Sequence, residues 1–379
     1  MKRRISYCTP SLYRAGGVER VLTTKANYFA DVLGYEIYII LTDGNGKAPY
    51  YPLSPKIKII NLDINFEELW HLSFLKKIPV YLKKQRVFKK KLTETLMKIK
   101  PDITVSLLRR EINFITSIKD GSKKVGEIHI NKHNYRNFEE NETNFIKKLF
   151  SKWWMNNLIS KLKELDKFVV LSNEDKTNWS ELNNVTVISN PLSFIPYNQK
   201  NIQSKKIIAV GRYVYQKGFD LLLEAWKEVN RKYPDWELNI YGNGNRKQYK
   251  ILIDEELNNC HLNAATSDIA EKYAESSIFV LSSRFEGFGM VLVEAMSCGL
   301  PCVSFACPCG PKDIINDGID GLLVPNGDIE ALADKICYLI ENEDVRISMG
   351  QKAKENIKRF SEENVMSQWQ TLFDNLLSE

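Results

Sequence analysis

Arg212 and Lys217 stand five positions apart, between an apolar run at residues 207–210 and a helical pattern at 219–230. Two cations at that spacing, on a loop that feeds a helix N-terminus, can both reach one diphosphate, and the helix dipole adds to their field. The plain alternative is a solvated pair of loop charges, since exposed Lys and Arg are the norm. Gly211 precedes the pair, where a missing side chain lets the backbone come close to a ligand. Further on, Glu286 lies in a Gly-containing loop after the apolar run 278–281, and Glu294 lies about one turn inside a helix that opens near Gly289. That helix is otherwise apolar, so Glu294 needs hydroxyls or a cation to hold. A capping or salt-bridged structural glutamate is the competing reading.

In the first half, Gly16-Gly17 follows an apolar run and precedes a helix, whose first amides are unpaired. The segment is not GxGxxG, and a tight connection would look the same. His129 ends a strand-like run, where it serves a ligand or is merely satisfied by the core.

These residues need strands to aim them and helices to space them. Residues 4–8, 36–41, 57–62, 103–107, 125–130 and 168–171 read as strands, with helical patterns at 18–33 and 78–99. The second half repeats the alternation at 206–210, 237–241, 277–281, 301–305 and 321–324, with helices at 219–230 and 290–298. Strands alternating with helix-length segments predict βαβ units on parallel sheets, which bind ligands beyond the strands' carboxyl ends. The spacing predicts an N-terminal domain at 1–195, a polar linker at 196–205, a second domain at 206–362 and a terminal amphipathic helix at 363–379. Val365, Trp369, Leu372, Phe373 and Leu376 share one face of that helix.

The run from Glu286-Gly-Phe-Gly to Glu294-Ala-Met resembles the Glu-x7-Glu motif of family 4 retaining glycosyltransferases, which have the GT-B fold. Other family motifs occur in order over residues 205–330: Gly211-Arg212, Lys217-Gly218, Gly242-Asn243-Gly244, Gly299-Leu300-Pro301 and the stretch from Ile314 to Val324. The N-terminal likeness is looser and rests on Gly16-Gly17 and Glu127-Ile128-His129. The resemblance implies an α/β fold of two doubly wound Rossmann-like domains facing each other across a cleft, with the last helix returning to the first.

It also implies roles. Arg212 and Lys217 would grip the diphosphate of a nucleotide-sugar donor, a UDP-sugar being favoured and GDP-mannose the alternative. Glu294 would hold the ribose hydroxyls and Glu286 those of the donor sugar. The amides of Phe288, Gly289 and Met290 would complete the phosphate cradle. Gly16 and Gly17 would let the first-domain loop close over the diphosphate, and His129 would sit near the transferred sugar. Retention would proceed by same-face attack, with the departing phosphate oxygen taking the acceptor proton. The chain contains no Asp-x-Asp, and the two cations supply comparable charge, so no metal and no cofactor are expected. Base selection is expected from loops after Tyr241 and around 261–268. Ala306 replaces the acid common in Phe-Asp-Cys-Pro-x-Gly-Pro, which puts any sugar contact of that carboxylate in doubt.

The 379 residues carry a net charge of +6, but residues 1–190 hold 33 Lys and Arg against 20 Asp and Glu, leaving the second half acidic. Residues 74–100 hold ten cations against Glu94 alone, interleaved with Phe74, Leu75, Val80, Tyr81, Leu82, Val87 and Phe88; residues 147–155 mix Lys with Phe150, Trp153 and Trp154. Such segments suit an anionic membrane surface, or are solvated helix faces. No nucleic-acid-binding motif accompanies them. No stretch reaches the ~18 apolar residues of a spanning helix, and no apolar signal core follows the start, so a cytoplasmic, membrane-peripheral location is expected. Cys298, Cys302, Cys307 and Cys309 lack a C-x2-C pair and read as small buried residues rather than zinc ligands. The expected function is transfer of a hexose to a lipid-linked or cell-surface glycan of the lipopolysaccharide or capsule type. The alternatives are a non-catalytic nucleotide-sugar-binding protein, or another GT-B enzyme such as a phosphorylase or epimerase. Intact Lys217, Glu286 and Glu294 weigh against them.

Overall fold

The computed structural model describes residues 2–44, 46–135, 145–192, 194, 196 and 204–378. The chain divides into two compact units, Met1–Ser193 with Val365–Glu379, and Phe194–Asn364. Of the linker expected at 196–205, residues 197–203 lie outside the described residues.

The first unit runs β1 (Arg4–Thr9), α1 (Gly17–Asp31), β2 (Glu36–Leu41), β3 (Lys58–Asn61), α2 (Phe74–Ile99), β4 (Ile103–Ser106), β5 (Lys123–Glu127), α3 (Phe145–Lys163), β6 (Lys167–Val170), α4 (Asn173–Asn178) and β7 (Val185–Val187). Its sheet has the order β3-β2-β1-β4-β5-β6-β7, with all neighbours parallel. Parallel neighbours cannot be joined by tight turns, so the crossovers lay helices over the faces. Ile5 and Tyr7 of β1 enter a core with Leu22 and Phe29 of α1, while Cys8 joins Phe88 and Leu92 of α2 and Leu162 of α3. That split follows from the two-residue period of a strand.

The second unit runs β8 (Lys206–Val210), α5 (Phe219–Lys232), β9 (Glu237–Gly242), α6 (Lys247–Glu256), β10 (Cys260–Ala264), α7 (Ile269–Ala274), β11 (Ile278–Leu281), α8 (Met290–Ser297), β12 (Cys302–Phe305), α9 (Pro311–Ile314), β13 (Gly321–Val324), α10 (Ile329–Glu341) and α11 (Glu343–Asn356). Its parallel sheet has the order β10-β9-β8-β11-β12-β13. The closing helix α12 (Glu362–Ser378) buries Val365, Met366, Trp369, Leu372, Phe373 and Leu376 in the core of the first unit. The face legible in the sequence is thus the buried one, and Phe373 packs on Phe29 with ring centroids 5.6 Å apart.

Several boundaries differ from expectation for identifiable reasons. Helix α2 begins at Phe74 rather than 78, and so carries Pro79 inside it, where the ring leaves one backbone donor missing. Strand β5 stops at Glu127, which leaves His129 beyond the strand rather than on it. Part of the expected 261–268 loop is edge strand β10, whose Cys-His-Leu-Asn-Ala sequence lacks an apolar run. Strand β7, only three residues long, was also illegible.

Both sheets change the direction in which strands are added, between β1 and β4 and between β8 and β11. Loops leaving adjacent strands at such a point diverge and open a crevice, the common ligand site of open α/β sheets.

Candidate functional site

In the second unit the loop from β8 to α5 is fastened on two sides. Toward β9, Gly211 N donates to Tyr241 O (3.0 Å) and Tyr213 N to Asn243 O (2.7 Å). The approach is so close that a Cβ on Gly242 would sit 1.7 Å from Gly211 O. Arg212 lies between these anchors, exposed and without an ion pair among the described residues. Toward β11, Ser282 Oγ donates to Lys217 O (3.0 Å), Arg284 N to Gln216 O (2.8 Å) and Gln216 Nε2 to Phe285 O (3.0 Å). Gly218 has φ +59°, and a Cβ there would lie 2.1 Å from Ser282 O. The Arg284 guanidinium completes the seam: it donates to Tyr215 O (2.9 Å) and, as a fork, to both Asp220 oxygens (2.8 and 2.6 Å). These charge-assisted bonds raise the Arg284 pKa and hold the Asp220 carboxyl below its usual range.

The fastened loops bring two predicted residues into contact. Lys217 Nζ donates to Glu286 Oε1 at 2.6 Å, and Ser283 Oγ donates to the same oxygen at 2.6 Å. Glu286 is buried, and its amide donates to Pro308 O (3.1 Å). Glu294, within α8, is 3% exposed and accepts from Tyr273 Oη at 3.2 Å. Gly289 precedes α8 with φ +97°, a left-handed turn that glycine adopts freely and that opens the helix start. Phe288 is buried, and its carbonyl lies against Gly310, where a Cβ would come within 2.0 Å of it. The four clustered cysteines are all buried, as their small-residue reading required. Among the described residues no three side chains of His, Cys, Asp or Glu gather as metal ligands would.

In the first unit Gly16 precedes α1 and Gly17 opens it. The Glu19 carboxylate folds back so that a Cβ on Gly16 would lie 2.0 Å from its Oε2. A cavity of 720 Å³ lies at the carboxyl ends of β1, β2 and β4, bordered by Arg14, Glu19, Glu67, Trp70 and Arg109 among others. Arg14 is neutralised by Glu67 at 2.6 Å and lies over the Trp70 ring at 5.3 Å. The turn after β4 holds Leu108 at φ +49°, a strain of roughly 1–2 kcal/mol for a residue with a Cβ. Buried Glu111 sustains it by accepting from Ser106 Oγ (2.8 Å) and Arg109 N (3.0 Å). His129 Nε2 lies 3.2 Å from Glu127 Oε1, without hydrogen-bond alignment. Glu127 itself is gripped by the fully buried Lys25, which sits over the Trp369 ring at 4.2 Å. Burial alone would raise the Glu127 carboxyl; Lys25 and His129 outweigh it and hold the pKa at about 2.

Residues 194–356 match the family model described as glycosyl transferases group 1. The second unit is a group 1 glycosyl transferase domain. The chain is 29% identical over 376 residues to an uncharacterized glycosyltransferase of Haemophilus influenzae, spanning 97% of this chain and 99% of that one. It is 32% identical over 262 residues to a poly(ribitol-phosphate) alpha-N-acetylglucosaminyltransferase of Staphylococcus aureus, spanning 67% of this chain and 51% of that one. The crystal structure of a mutant of S. aureus TarM in complex with fondaparinux, alpha-GlcNAc-glycerol and UDP matches with a TM-score of 0.75 at 19% identity, covering 98% and 99%. The fold is GT-B, as the motifs implied.

Within the glycosyl transferase domain, Gly211, Arg212, Lys217, Glu286, Phe288 and Gly289 lie in the connections that follow β8 and β11, and Met290 and Glu294 lie on α8. Gly16, Gly17 and His129 belong to the first unit. Sequence reasoning missed the Arg284–Asp220 fork, Tyr273 as the partner of Glu294, and the pairing of Lys25 with Glu127. Lys25 did carry a signal, a lone cation on the apolar face of α1. Arg109-Arg110, directly after an apolar strand, carried another.

Proposed function

We propose that the protein is a retaining glycosyltransferase that moves a hexosyl group from a nucleoside diphosphate sugar, UDP-linked in the favoured case, to a lipid-linked or cell-surface glycan. The observation that carries this reading is the pair of half-buried Lys217 with buried Glu286 at the β8/β11 crevice, on the loop that also bears Arg212, which has no ion pair among the described residues. A cation held in such a pair can exchange partners. The incoming diphosphate takes Lys217 and Arg212, and Glu286 is released to accept hydroxyls of the donor sugar. Glu294, steadied by Tyr273, accepts the ribose hydroxyls, and the first amides of α8 receive phosphate oxygens.

In the reaction the bond from the anomeric carbon to the phosphate oxygen breaks, and its electron pair leaves with the phosphate. The acceptor hydroxyl oxygen bonds to the anomeric carbon on the same face, and its proton passes to the departing phosphate oxygen. The two cations stabilise the charge that develops there, the role a divalent ion would otherwise take, so turnover is expected to survive chelation by EDTA. The UDP reading is supported by the UDP in the TarM complex, and the same-face reading by the alpha linkage in the name of the S. aureus relative. Peripheral membrane contact is supported by the exposed cations of α2.

The test is product formation from a panel of UDP- and GDP-sugars, with the anomeric configuration read by NMR. Arg212→Ala, Lys217→Ala and Glu294→Ala are each expected to lower kcat/KM by about 100-fold or more. Near-normal turnover in the folded variants overturns the donor site, and an inverted product overturns retention.

A further inference from the structure

Lys25, Glu127 and His129 make a buried row in the first unit that the donor reading does not use. Lys25 projects from α1 and grips both oxygens of Glu127, the last residue of β5. His129 follows two positions on, with Nε2 3.2 Å from Glu127 Oε1 and no hydrogen-bond partner for that nitrogen among the described residues. Side-chain exposure is 1% for Lys25 and Glu127 and 7% for His129, so the imidazole is the end of the row nearest solvent. That end stands just beyond a strand's carboxyl terminus, and Ile130, the next residue, borders the 720 Å³ cavity. The Trp369 ring of α12 covers Lys25 at 4.2 Å, and Tyr7 of β1 adds a fully buried hydroxyl without a partner. Burial and then the Glu127 charge push the Tyr7 phenol well up, so Tyr7 stays neutral and the charges of the group are those of Lys25, Glu127 and the imidazole.

Stability is a weak reason for this arrangement, because a buried ion pair holds a core no better than well-packed apolar side chains of similar volume. Its effect falls on the imidazole beside it. A buried carboxylate next to an imidazole draws a second proton onto the ring. A carboxylate already matched by an ammonium does so far less, since protonation would then put a net positive charge into a nearly sealed core. The facing oxygen still favours the tautomer that carries hydrogen on the nearer nitrogen. We propose that Lys25 and Glu127 are positioning residues for His129, holding it as a neutral imidazole with hydrogen on Nε2 and leaving Nδ1 to accept a hydrogen bond from a substrate hydroxyl. Lys25 sets the charge, and Glu127 sets the tautomer. An imidazolium has no acceptor to offer and would attract phosphate instead. Assigning that hydroxyl to a glycosyl donor or acceptor rests on the glycosyltransferase reading; the charge and tautomer of His129 do not.

The experiment is NMR of the full chain labelled with nitrogen-15 histidine, which has four histidines, with the His129 signals assigned by their loss in His129→Gln. At pH 7 the parent is expected to show one protonated and one bare imidazole nitrogen, in the Nε2–H tautomer. Lys25→Met leaves Glu127 unmatched, and both nitrogens are then expected to be protonated. Should that variant fail to fold, Lys25→Met combined with Glu127→Gln removes both charges together. The double variant is expected to unfold at a urea midpoint close to the parent's but to show mixed tautomers. UDP release from UDP-glucose and UDP-N-acetylglucosamine gives the second readout. In both variants kcat at pH 7 is expected to fall tenfold or more with the donor KM within about threefold. Lys25→Met should regain rate as pH is raised by about one to three units, a recovery that the double variant lacks. An imidazolium in the parent, the parental nitrogen pattern in Lys25→Met, or a parental tautomer or parental kcat in the double variant overturns the proposal. If no nucleotide sugar turns over, the glycosyltransferase reading falls and the nitrogen pattern alone decides what the pair does.

Discussion

Lys217 and Glu286 are paired, so removing the carboxylate should affect binding and chemistry in opposite directions. Glu286→Gln keeps the shape of the side chain but frees the ammonium for phosphate. UDP should then bind more tightly, by up to about tenfold, while kcat falls about 100-fold because the sugar loses its carboxylate. Calorimetry with UDP beside a turnover assay checks this, and a variant that loses UDP binding contradicts the exchange of partners. A second residue-level prediction concerns Glu127→Gln, which strands the Lys25 ammonium in the core; breaking a buried pair in this way costs about 3–5 kcal/mol, readable by urea unfolding. The folded pKa of Glu127, about 2, lies below the unfolded value of about 4.3. Its contribution is therefore full above that unfolded value and is lost as pH falls through about 2, and the variant should lack this part of the acid dependence. The sequence identified Lys217, Glu286 and Glu294 as chemically unusual because a cation near a helix start and acids near or within an apolar stretch are local facts. Their partners were not legible, since Lys217 meets Glu286 across 69 positions and Lys25 meets Glu127 across 102.

At the scale of elements, the loop after β8 has few buried apolar groups of its own and owes its position to the loop after β11. Arg284 supplies the strongest part of that seam, through the fork to Asp220 and the bond to Tyr215 O. Arg284→Lys keeps the charge and loses the fork. The donor KM is expected to rise about tenfold with a smaller change in kcat, because Lys217 and Arg212 are held less firmly, while Tm moves by only a few degrees. A thermal scan and donor saturation curves separate the two effects; an unchanged KM would show that the seam is dispensable to binding. Elements with a clear apolar pattern, such as β8 with its continuous run and α12 with its single apolar face, were legible from pattern alone, since burial on both faces of a strand or on one face of a helix imposes apolar residues there. Strands β7 and β10 were not, because they lie at sheet edges and include intermediate or exposed positions. Helix α3 shows the same limit from the other side. Its Trp153-Trp154 pair reads as one surface feature, yet Trp154 stacks on Tyr135 at 5.8 Å while Trp153 stays exposed.

Over the whole molecule, the positive charge belongs to the first half of the sequence and much of it to α2. The structure divides the apolar residues interleaved with that charge: Phe88 is core, whereas Ile78 and Leu82 are 47% and 51% exposed. Those two recur with Arg86 and Lys89 at i, i+4, i+8 and i+11, so exposed apolar and cationic groups share one stripe of the helix. No described helix is long and apolar enough to cross a membrane, so any attachment through this stripe is at the surface. Each exposed cation contributes roughly 1 kcal/mol near an anionic leaflet, and the Debye length shrinks from about 10 Å at 0.1 M salt to about 3 Å at 1 M. The full chain should therefore sediment with phosphatidylglycerol-containing vesicles at low salt, be largely released at high salt, and ignore phosphatidylcholine vesicles. Replacing Ile78 and Leu82 together with Glu should weaken sedimentation at every salt concentration, because it removes the apolar anchor as well as adding repulsion. Equal binding to neutral vesicles, or none to either kind, removes the charge argument, and a double variant that sediments like the parent shows that the stripe on α2 is not the contact.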